Sequence, residues 1–460
     1  MMQALLYIFS SDGGYFMKNI LKRIIAVICV MALFIACGKI FRYILVNDTK
    51  SYTRIMMHQL YESEENIDVL FVGSSHVYRS LIPKITDEGF GAYTFNAGTS
   101  GQAMDGSLAI IREAIEYHDV DKIYLEMYYG VATEGAYEDR TEMTPTYIIS
   151  DYMKPSFRKV QYLLNASSKE HWSNSFNVAR RSWTNISDPD YIKRLINLKS
   201  KDSYKNYEWV KTEKQTEYYV DRGFVANDEV VAENEYWNSE AYWPINISKI
   251  SDDYRKSLQD IIDLCDKKGI ELVLFVSPMP EWTIVGKGNY DEYSEIVRKI
   301  AEDSDIKYYD FNLCKQEYFS TTEREYFMDE DHLNTKGAEL FSNLFCEFFA
   351  GQISEQELFY ESLSKKIEDE EPIVYGVAGP NLRKDDDIYD ARIIANRSDG
   401  IEYRIVAVSE TDGERVIQDY SKNTKFSFLA EEEGILQIYW RTIENPEKVG
   451  LIELEYGQTD

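Results

Sequence analysis

Ile67-Asp68-Val69-Leu70-Phe71-Val72-Gly73-Ser74-Ser75-His76 is the stretch that decides the fold. An apolar run rich in β-branched residues stops at Gly-Ser-Ser. That pattern predicts a buried strand delivering a small hydroxyl residue to a tight turn at its C-terminal end. In open parallel α/β sheets, chemistry sits just beyond the carboxyl ends of the strands. Far downstream, Phe327-Met328-Asp329-Glu330-Asp331-His332-Leu333-Asn334 offers an Asp and a His three residues apart. A serine hydroxyl is a weak nucleophile until a base takes its proton, and the base needs a third group to fix its tautomer. Ser75, His332 and Asp329 are candidates for those three roles.

Around these motifs the chain alternates. Strands are predicted at 67–72, 92–97, 121–127, 270–276 and 306–311, with helical patterns at about 103–118, 252–268, 290–303 and 335–350. The last helix has Asn334-Thr335 as its start signal and Ala338, Phe341, Leu344, Phe345 and Phe348 at helical spacing. Strands alternating with helices imply an α/β fold with a doubly wound parallel sheet, covered on both faces. Its loops share one edge, so Ser75 after the first strand and Asp329 and His332 after the fifth can meet. The Tyr-, Trp-, Asn- and Lys-rich stretch 131–250 breaks the rhythm. It is expected to be an insertion, either shaping substrate access or elaborating the structure. The charged stretch 361–372 is expected to be a linker. Beyond it, Ile401, Tyr403, Ile405 and Ala407 alternate with polar residues, as do Leu436, Ile438 and Trp440 and then Ile452, Leu454 and Tyr456. Short alternating strands with Gly turns predict a small antiparallel β-sandwich at 373–460, an accessory module with no catalytic constellation.

The chain has 460 residues and a formal net charge of -29. Such a surface repels phosphate backbones and argues against a nucleic-acid partner. The acidity is spread along the chain and is expected to be a solvated surface. The five cysteines are irregularly spaced, which argues against a disulfide framework or a zinc site; Cys265, Cys314 and Cys346 have apolar neighbours and are expected to be buried. At the N-terminus, Lys18, Lys22 and Arg23 precede the apolar run Ile24–Ala36, the pattern of an export signal, and Met17 is a candidate start. The run is short for a full span. It continues through Ile40, Phe41, Tyr43, Ile44, Leu45 and Val46, with Lys39 and Arg42 able to snorkel. An uncleaved signal anchor over 1–46 is the first expectation, with a main domain at 47–360 outside the membrane. Residues 47–66 would form a stalk or first helix. Phe34-Ile35-Ala36-Cys37-Gly38 also resembles a bacterial lipoprotein box, which would make Cys37 a lipidation site.

An acyl-transfer site also needs donors aimed at the developing oxyanion. The loop after the second strand, Asn96-Ala97-Gly98-Thr99-Ser100-Gly101-Gln102, is small and opens a helix. The backbone N–H groups of Ser75 and Gly101 are the candidate donors.

Over roughly residues 67–350 this order of motifs resembles the SGNH/GDSL hydrolase superfamily. Gly73-Ser74-Ser75-His76 stands where the family has Gly-Asp-Ser-Leu. Asn96 through Gly101 looks like its second block, and Asp329-x-x-His332 like its last. The resemblance implies the family's flavodoxin-like fold, Ser75 as nucleophile, His332 and Asp329 as base and acid, and the Gly101 amide in the oxyanion hole. Two positions depart from the pattern. No Asn follows the third strand, which runs Ile123-Tyr124-Leu125-Glu126-Met127-Tyr128-Tyr129-Gly130, and Ser74 replaces Asp. The third oxyanion donor is therefore missing or replaced, for example by a tyrosine hydroxyl or a water. Both departures look similar to the membrane-anchored branch of D-alanine transfer proteins and polysaccharide O-acetyltransferase-like proteins. That branch implies an acylated envelope glycan or acyl donor as substrate and a membrane acyl-transfer partner protein. It also implies a bacterial cell-membrane location with the catalytic domain extracytoplasmic.

Several alternatives stay open at this level. Ser74 could be the nucleophile, although the family register favours Ser75. His76, beside the serine, is the competing imidazole and is expected to shape the pocket with Ser74, Asn96 and Tyr128. Asp329, Asp331 and His332 form a poor metal cluster without a second ligand set, and no cofactor is implied. Trp282 could stack on a sugar ring or lie in the core. The chain could hydrolyse or transfer an acyl ester, act as a peptidase or lipase, or bind glycan as an inactive platform with the same fold.

Overall fold

The computed structural model describes residues 11–132, 143–232, 246, 250–382, 388–397, 399–410, 413–429 and 433–457. Residues 133–142, 233–245 and 247–249 of the expected insertion lie outside the described residues. The chain divides into two compact units, residues 1–51 with 167–210, and residues 52–166 with 211–460.

The first unit is built on the helix Ser11–Leu45. Its stretch Asn19–Leu45 is 27 residues long and apolar enough to be a membrane anchor or a signal sequence. Short helices from 172–205 pack at its C-terminal end. There Tyr191 donates its hydroxyl to Leu45 O at 3.0 Å and Lys199 Nζ donates to Val46 O at 2.6 Å. Lys199 also pairs with buried Asp48 at 2.8 Å, and Tyr204 donates to the same carboxylate.

The second unit holds β1 (Val69–Val72), β2 (Thr94–Asn96), β3 (Lys122–Glu126), a hairpin of β4 (Glu217–Asp221) and β5 (Phe224–Asn227), then β6 (Glu271–Val276) and β7 (Lys307–Asp310). The hairpin stands apart. The other five strands form one parallel sheet in the order β2-β1-β3-β6-β7. In chain order that is 2-1-3-4-5, a doubly wound arrangement with its switch point between β1 and β3. All four residues of β1 are buried, as a strand covered on both faces requires. Phe71, Tyr124, Phe275, Phe311 and Phe345 share one core, the last from the helix Thr335–Phe349. That helix starts where its sequence signal stands, with the Asn334 side chain accepting from Gly337 N. Residues 47–66 yield the helix Tyr52–Glu62, which buries Ile55, Met56, Met57 and Leu60.

The C-terminal strands are β8 (Val374–Leu382), β9 (Ile388–Ala395), β10 (Ile401–Ser409), β11 (Gly413–Ser421), β12 (Lys425–Leu429), β13 (Gly434–Thr442) and β14 (Val449–Tyr456). They make two antiparallel sheets, β11-β10-β13-β14 and β12-β9-β8. Ile401, Tyr403, Ile405 and Ala407, the alternating set expected to face inward, are all buried in their shared core.

The charged stretch 361–372 is not the solvated linker its composition suggests. It contains the helix Leu363–Asp369, and Lys366 on it is fully buried. Lys366 Nζ lies 2.9 Å from Glu281 Oε2, and neither side chain is exposed. Glu281 also accepts from Thr321 Oγ1, Gln316 and the Tyr375 hydroxyl of β8. The Glu281 carboxylate therefore joins the helix Leu363–Asp369, through Lys366, to the first strand of the sandwich, through Tyr375. Trp282, on the helix Glu281–Lys287, is 1% exposed and is a core residue without a face to offer a sugar. Cys265, Cys314 and Cys346 are buried, and burial pushes the first two thiols up to about 12.

Candidate active site

The parallel sheet brings four loops to one edge. After β1 the chain turns at Gly73 and Ser74 into the helix Ser75–Ser80. Ser74 is its N-cap, in extended conformation, with its side chain accepting from His76 N. Ser75 therefore stands at the first helical position, where its own N–H has no intrahelical acceptor.

Ser75 Oγ lies 2.7 Å from His332 Nε2. His332 Nδ1 lies 2.9 Å from Asp329 Oδ2 and 3.0 Å from Oδ1. The three-residue spacing works because the Asp329–His332 segment is a tight turn. Asp329 Oδ1 accepts the backbone N–H of Asp331 at 2.8 Å and of His332 at 2.7 Å. Burial would raise the Asp329 carboxyl, but the His332 ring and these N–H groups bring it down to about 2. Burial would lower His332, yet the Asp329 hydrogen bond and charge, with Asp331 adding to them, hold it above its ordinary value. The carboxylate thus stays ionised and orients an imidazole whose Nε2 faces a serine hydroxyl. Such a chain can take a proton from Ser75 and return it to a leaving group.

The remaining expected residues divide. His76 is buried, with its ring tilted against those of Tyr128, at 3.9 Å between centroids, and His332, at 4.6 Å. Burial and the neighbouring His332 push it well below its usual value, so it sits neutral beside the candidate base. Asn96 does not line a pocket. It is fully buried, donates to Val77 O at 2.8 Å and Leu81 O at 3.0 Å, and accepts from Gly98 N. Its role is to clamp the helix Ser75–Ser80 to the loop after β2. Gly98 in that loop approaches so closely that a Cβ there would lie 2.8 Å from Ser74 O. Gly101 has a left-handed φ of 60°. Among the described residues, no backbone or side-chain acceptor takes the N–H of Ser75 or of Gly101.

Two residues at this edge were not singled out from the sequence. Glu126, the last residue of β3, accepts both the N–H of Ser74 at 2.8 Å and its Oγ–H at 2.7 Å on one carboxylate oxygen. Ser74 Oγ in turn lies 3.2 Å from His76 Nδ1. A Cβ on Gly73 would fall 2.5 Å from Glu126 Cβ, so the glycine is what lets the carboxylate reach the turn. Burial pushes Glu126 up to about 7 against the pull of Ser74. The register carried one signal for it: Val72 pairs with Leu125, which sets Glu126 beside Gly73. The second residue is Lys287, which is buried, lowered by that burial, and faced by the charges of Asp331 and Glu330.

No family model matches the chain, and no curated protein matches it. Solved structures similar at a distance include three that follow. A "putative acylhydrolase" from Bacteroides fragilis is 11% identical with a TM-score of 0.30, covering 64% of this chain and 94% of its own. A "putative platelet activating factor" from Streptococcus pneumonia is 13% identical with a TM-score of 0.30, covering 69% and 98%. An endo-beta-1,4-mannanase double mutant from Cellulomonas fimi is 11% identical with a TM-score of 0.18, covering 90% and 99%.

Proposed function

We propose that the chain is a membrane-anchored, extracytoplasmic serine esterase or acyltransferase acting on acyl esters of an envelope polysaccharide. The observation that carries this reading is the continuous hydrogen-bonded chain from Ser75 through His332 to Asp329. In the proposed mechanism Ser75 Oγ attacks the ester carbonyl while His332 Nε2 takes its proton. Asp329 holds the imidazole and stabilises the imidazolium. The N–H groups of Ser75 and Gly101, both without an acceptor among the described residues, receive the oxyanion. Collapse breaks the carbonyl–oxygen bond, and His332 returns the proton to the leaving alkoxide. Water or a sugar hydroxyl then takes the acyl group from Ser75, with His332 as base again. The apolar helix Asn19–Leu45 supports the anchored location, and the family resemblance supports the glycan substrate and a membrane acyl-transfer partner.

Intact-mass labelling of the full chain with a fluorophosphonate probe tests this. One adduct in wild type, absent in Ser75→Ala and His332→Ala, supports an activated serine. No adduct in folded wild type overturns the reading in favour of an inactive glycan-binding platform. An adduct that persists in Ser75→Ala places the nucleophile elsewhere.

A further inference from the structure

We infer that residues 167–210 form an interfacial platform that lies on an anionic lipid surface beside the anchor helix. The first observation is charge. This segment holds eight Lys and Arg against five Asp and Glu, while the whole chain carries -29. A net basic block in so acidic a protein is electrostatically selective for anionic lipid, whose surface attracts Lys and Arg within a Debye length. The second is composition. The segment holds three of the seven tryptophans, the residue type enriched at membrane–water boundaries.

The third observation is position within the unit. Trp183 packs its ring edge-on against Phe41 of the anchor helix, 5.2 Å between centroids. Phe41 lies five residues beyond the apolar run Ile24–Ala36, about 7.5 Å further along the axis. A hydrocarbon core about 30 Å thick takes roughly 20 helical residues. Residues near the C-terminal end of a 27-residue apolar stretch therefore fall at the headgroup level. The bonds of Tyr191 to Leu45 O and Lys199 to Val46 O fix the platform at that level.

The fourth is exposure. Phe176, Trp183, Ile186 and Ile196 are 49%, 48%, 41% and 37% exposed. They alternate with the basic residues Arg180, Lys193 and Arg194, all of them exposed. Large apolar side chains interleaved with cations are what an interfacial segment presents, with rings and branches entering the acyl boundary and cations on the headgroups. The segment would thereby fix the depth and tilt of the anchor.

This inference rests on retention of the anchor, so the first step is the intact mass of the chain purified from membranes. A chain cleaved near residue 46 overturns it. The retained full chain is then placed in phosphatidylcholine vesicles brominated near the headgroup end of the acyl chains, with and without phosphatidylglycerol, and tryptophan emission is read. We expect quenching in wild type, at least a halving of the quenched part in Trp183→Phe, and stronger quenching in anionic vesicles. The anionic gain should vanish in an Arg180→Gln, Arg194→Gln variant. Unquenched wild-type emission, or quenching that Trp183→Phe leaves unchanged, would overturn the inference and assign the face to a protein partner. Neither outcome depends on whether Ser75 labels.

Discussion

Replacing Lys366 by methionine keeps most of the volume and removes the charge that neutralises Glu281. In the native protein Lys366 Nζ touches Glu281 Oε2 at 2.9 Å and also donates to Thr321 Oγ1 at 2.7 Å and Asn312 O at 3.1 Å. Both charged side chains are without exposed surface, so breaking the pair would leave a carboxylate in a dry pocket, a loss of roughly 3–5 kcal/mol. Proton uptake by Glu281 limits that loss. Burial pushes Glu281 up, but Lys366 and the donors around it hold it below its ordinary value of 4.5. Protonating it at pH 7 costs about 1.4 kcal/mol for each pH unit above that value, or about 3.4 kcal/mol in total. At pH 5 the same step costs only about 0.7 kcal/mol. The sign follows from the depressed native value: the stabilisation is present above 4.5 and is lost as the pH falls through the folded value. The wild-type pair is intact at both pH 8 and pH 5, and the gap to Lys366→Met should close over that range because the variant's buried, unneutralised Glu281 takes up a proton. Differential scanning calorimetry of the full chain should show Tm lowered by about 5 °C at pH 8 and by clearly less at pH 5. A double variant with Glu281→Gln should recover part of the difference. An unchanged Tm at pH 8, or a gap of equal size at both pH values, would refute the assignment of Lys366 as a buried neutralising cation.

Four further outcomes concern the site. Asp329→Asn can keep its bonds to the N–H groups of Asp331 and His332 while losing its charge, so the fold should persist. Fluorophosphonate labelling should nevertheless slow by roughly 10³–10⁴-fold, because the imidazole loses its oriented tautomer. The labelling rate of wild type should rise with pH through an inflection above 6.5, since His332 must be neutral to act as base and its value is raised; an inflection below 6.5 would contradict the Asp329–His332 pairing. Gly73→Ala should destabilise by about 1–3 kcal/mol in a denaturant titration, because the new methyl group meets Glu126 and Val77, and should slow labelling by displacing the turn. Glu126→Ala, which leaves the Ser74 N–H buried without its acceptor, should slow labelling about tenfold or more, with Glu126→Gln slowing it less; equal rates in all three proteins would show that Glu126 does not position the nucleophile turn.

The parts of the fold set by local pattern were legible. Strands at 69–72, 122–126 and 271–276 lie within one or two residues of their apolar runs, because buried parallel strands must be apolar on both faces. The helices Asp252–Lys268 and Tyr290–Asp303 match their predicted spans, each with an acidic first turn. Ser75, His332 and Asp329 could be named because their spacing and order carry the geometry. What escaped depends on long-range pairing. Lys366 sits in a charge run that resembles solvated surface, and its partner Glu281 lies far upstream. Asn96 stood in a loop that resembled a pocket, yet its amide is consumed by two carbonyls of the neighbouring helix.

Glu126 shows why the Gly-Ser-Ser turn has the composition it does. Read alone, the turn needs a small residue and a nucleophile, and any small polar residue would serve at position 74. The register adds a buried carboxylate across from position 73. That carboxylate demands a residue without Cβ at 73 and a residue at 74 that donates from both backbone and side chain to one oxygen. Aspartate at 74 would set a second acid against Glu126, whereas serine satisfies it. Serine also leaves a lone pair on Oγ for the His76 N–H at 3.3 Å, which caps the helix that carries Ser75. A carboxylate at the end of β3 and a hydroxyl in the turn now hold each other, and together they hold the first turn of the nucleophile helix. A Ser74→Asp variant should therefore lower Tm and slow Ser75 labelling in wild-type background, and a Ser74→Asp, Glu126→Asn pair should restore part of both. Failure of the second change to recover either would mean that the two positions are independent.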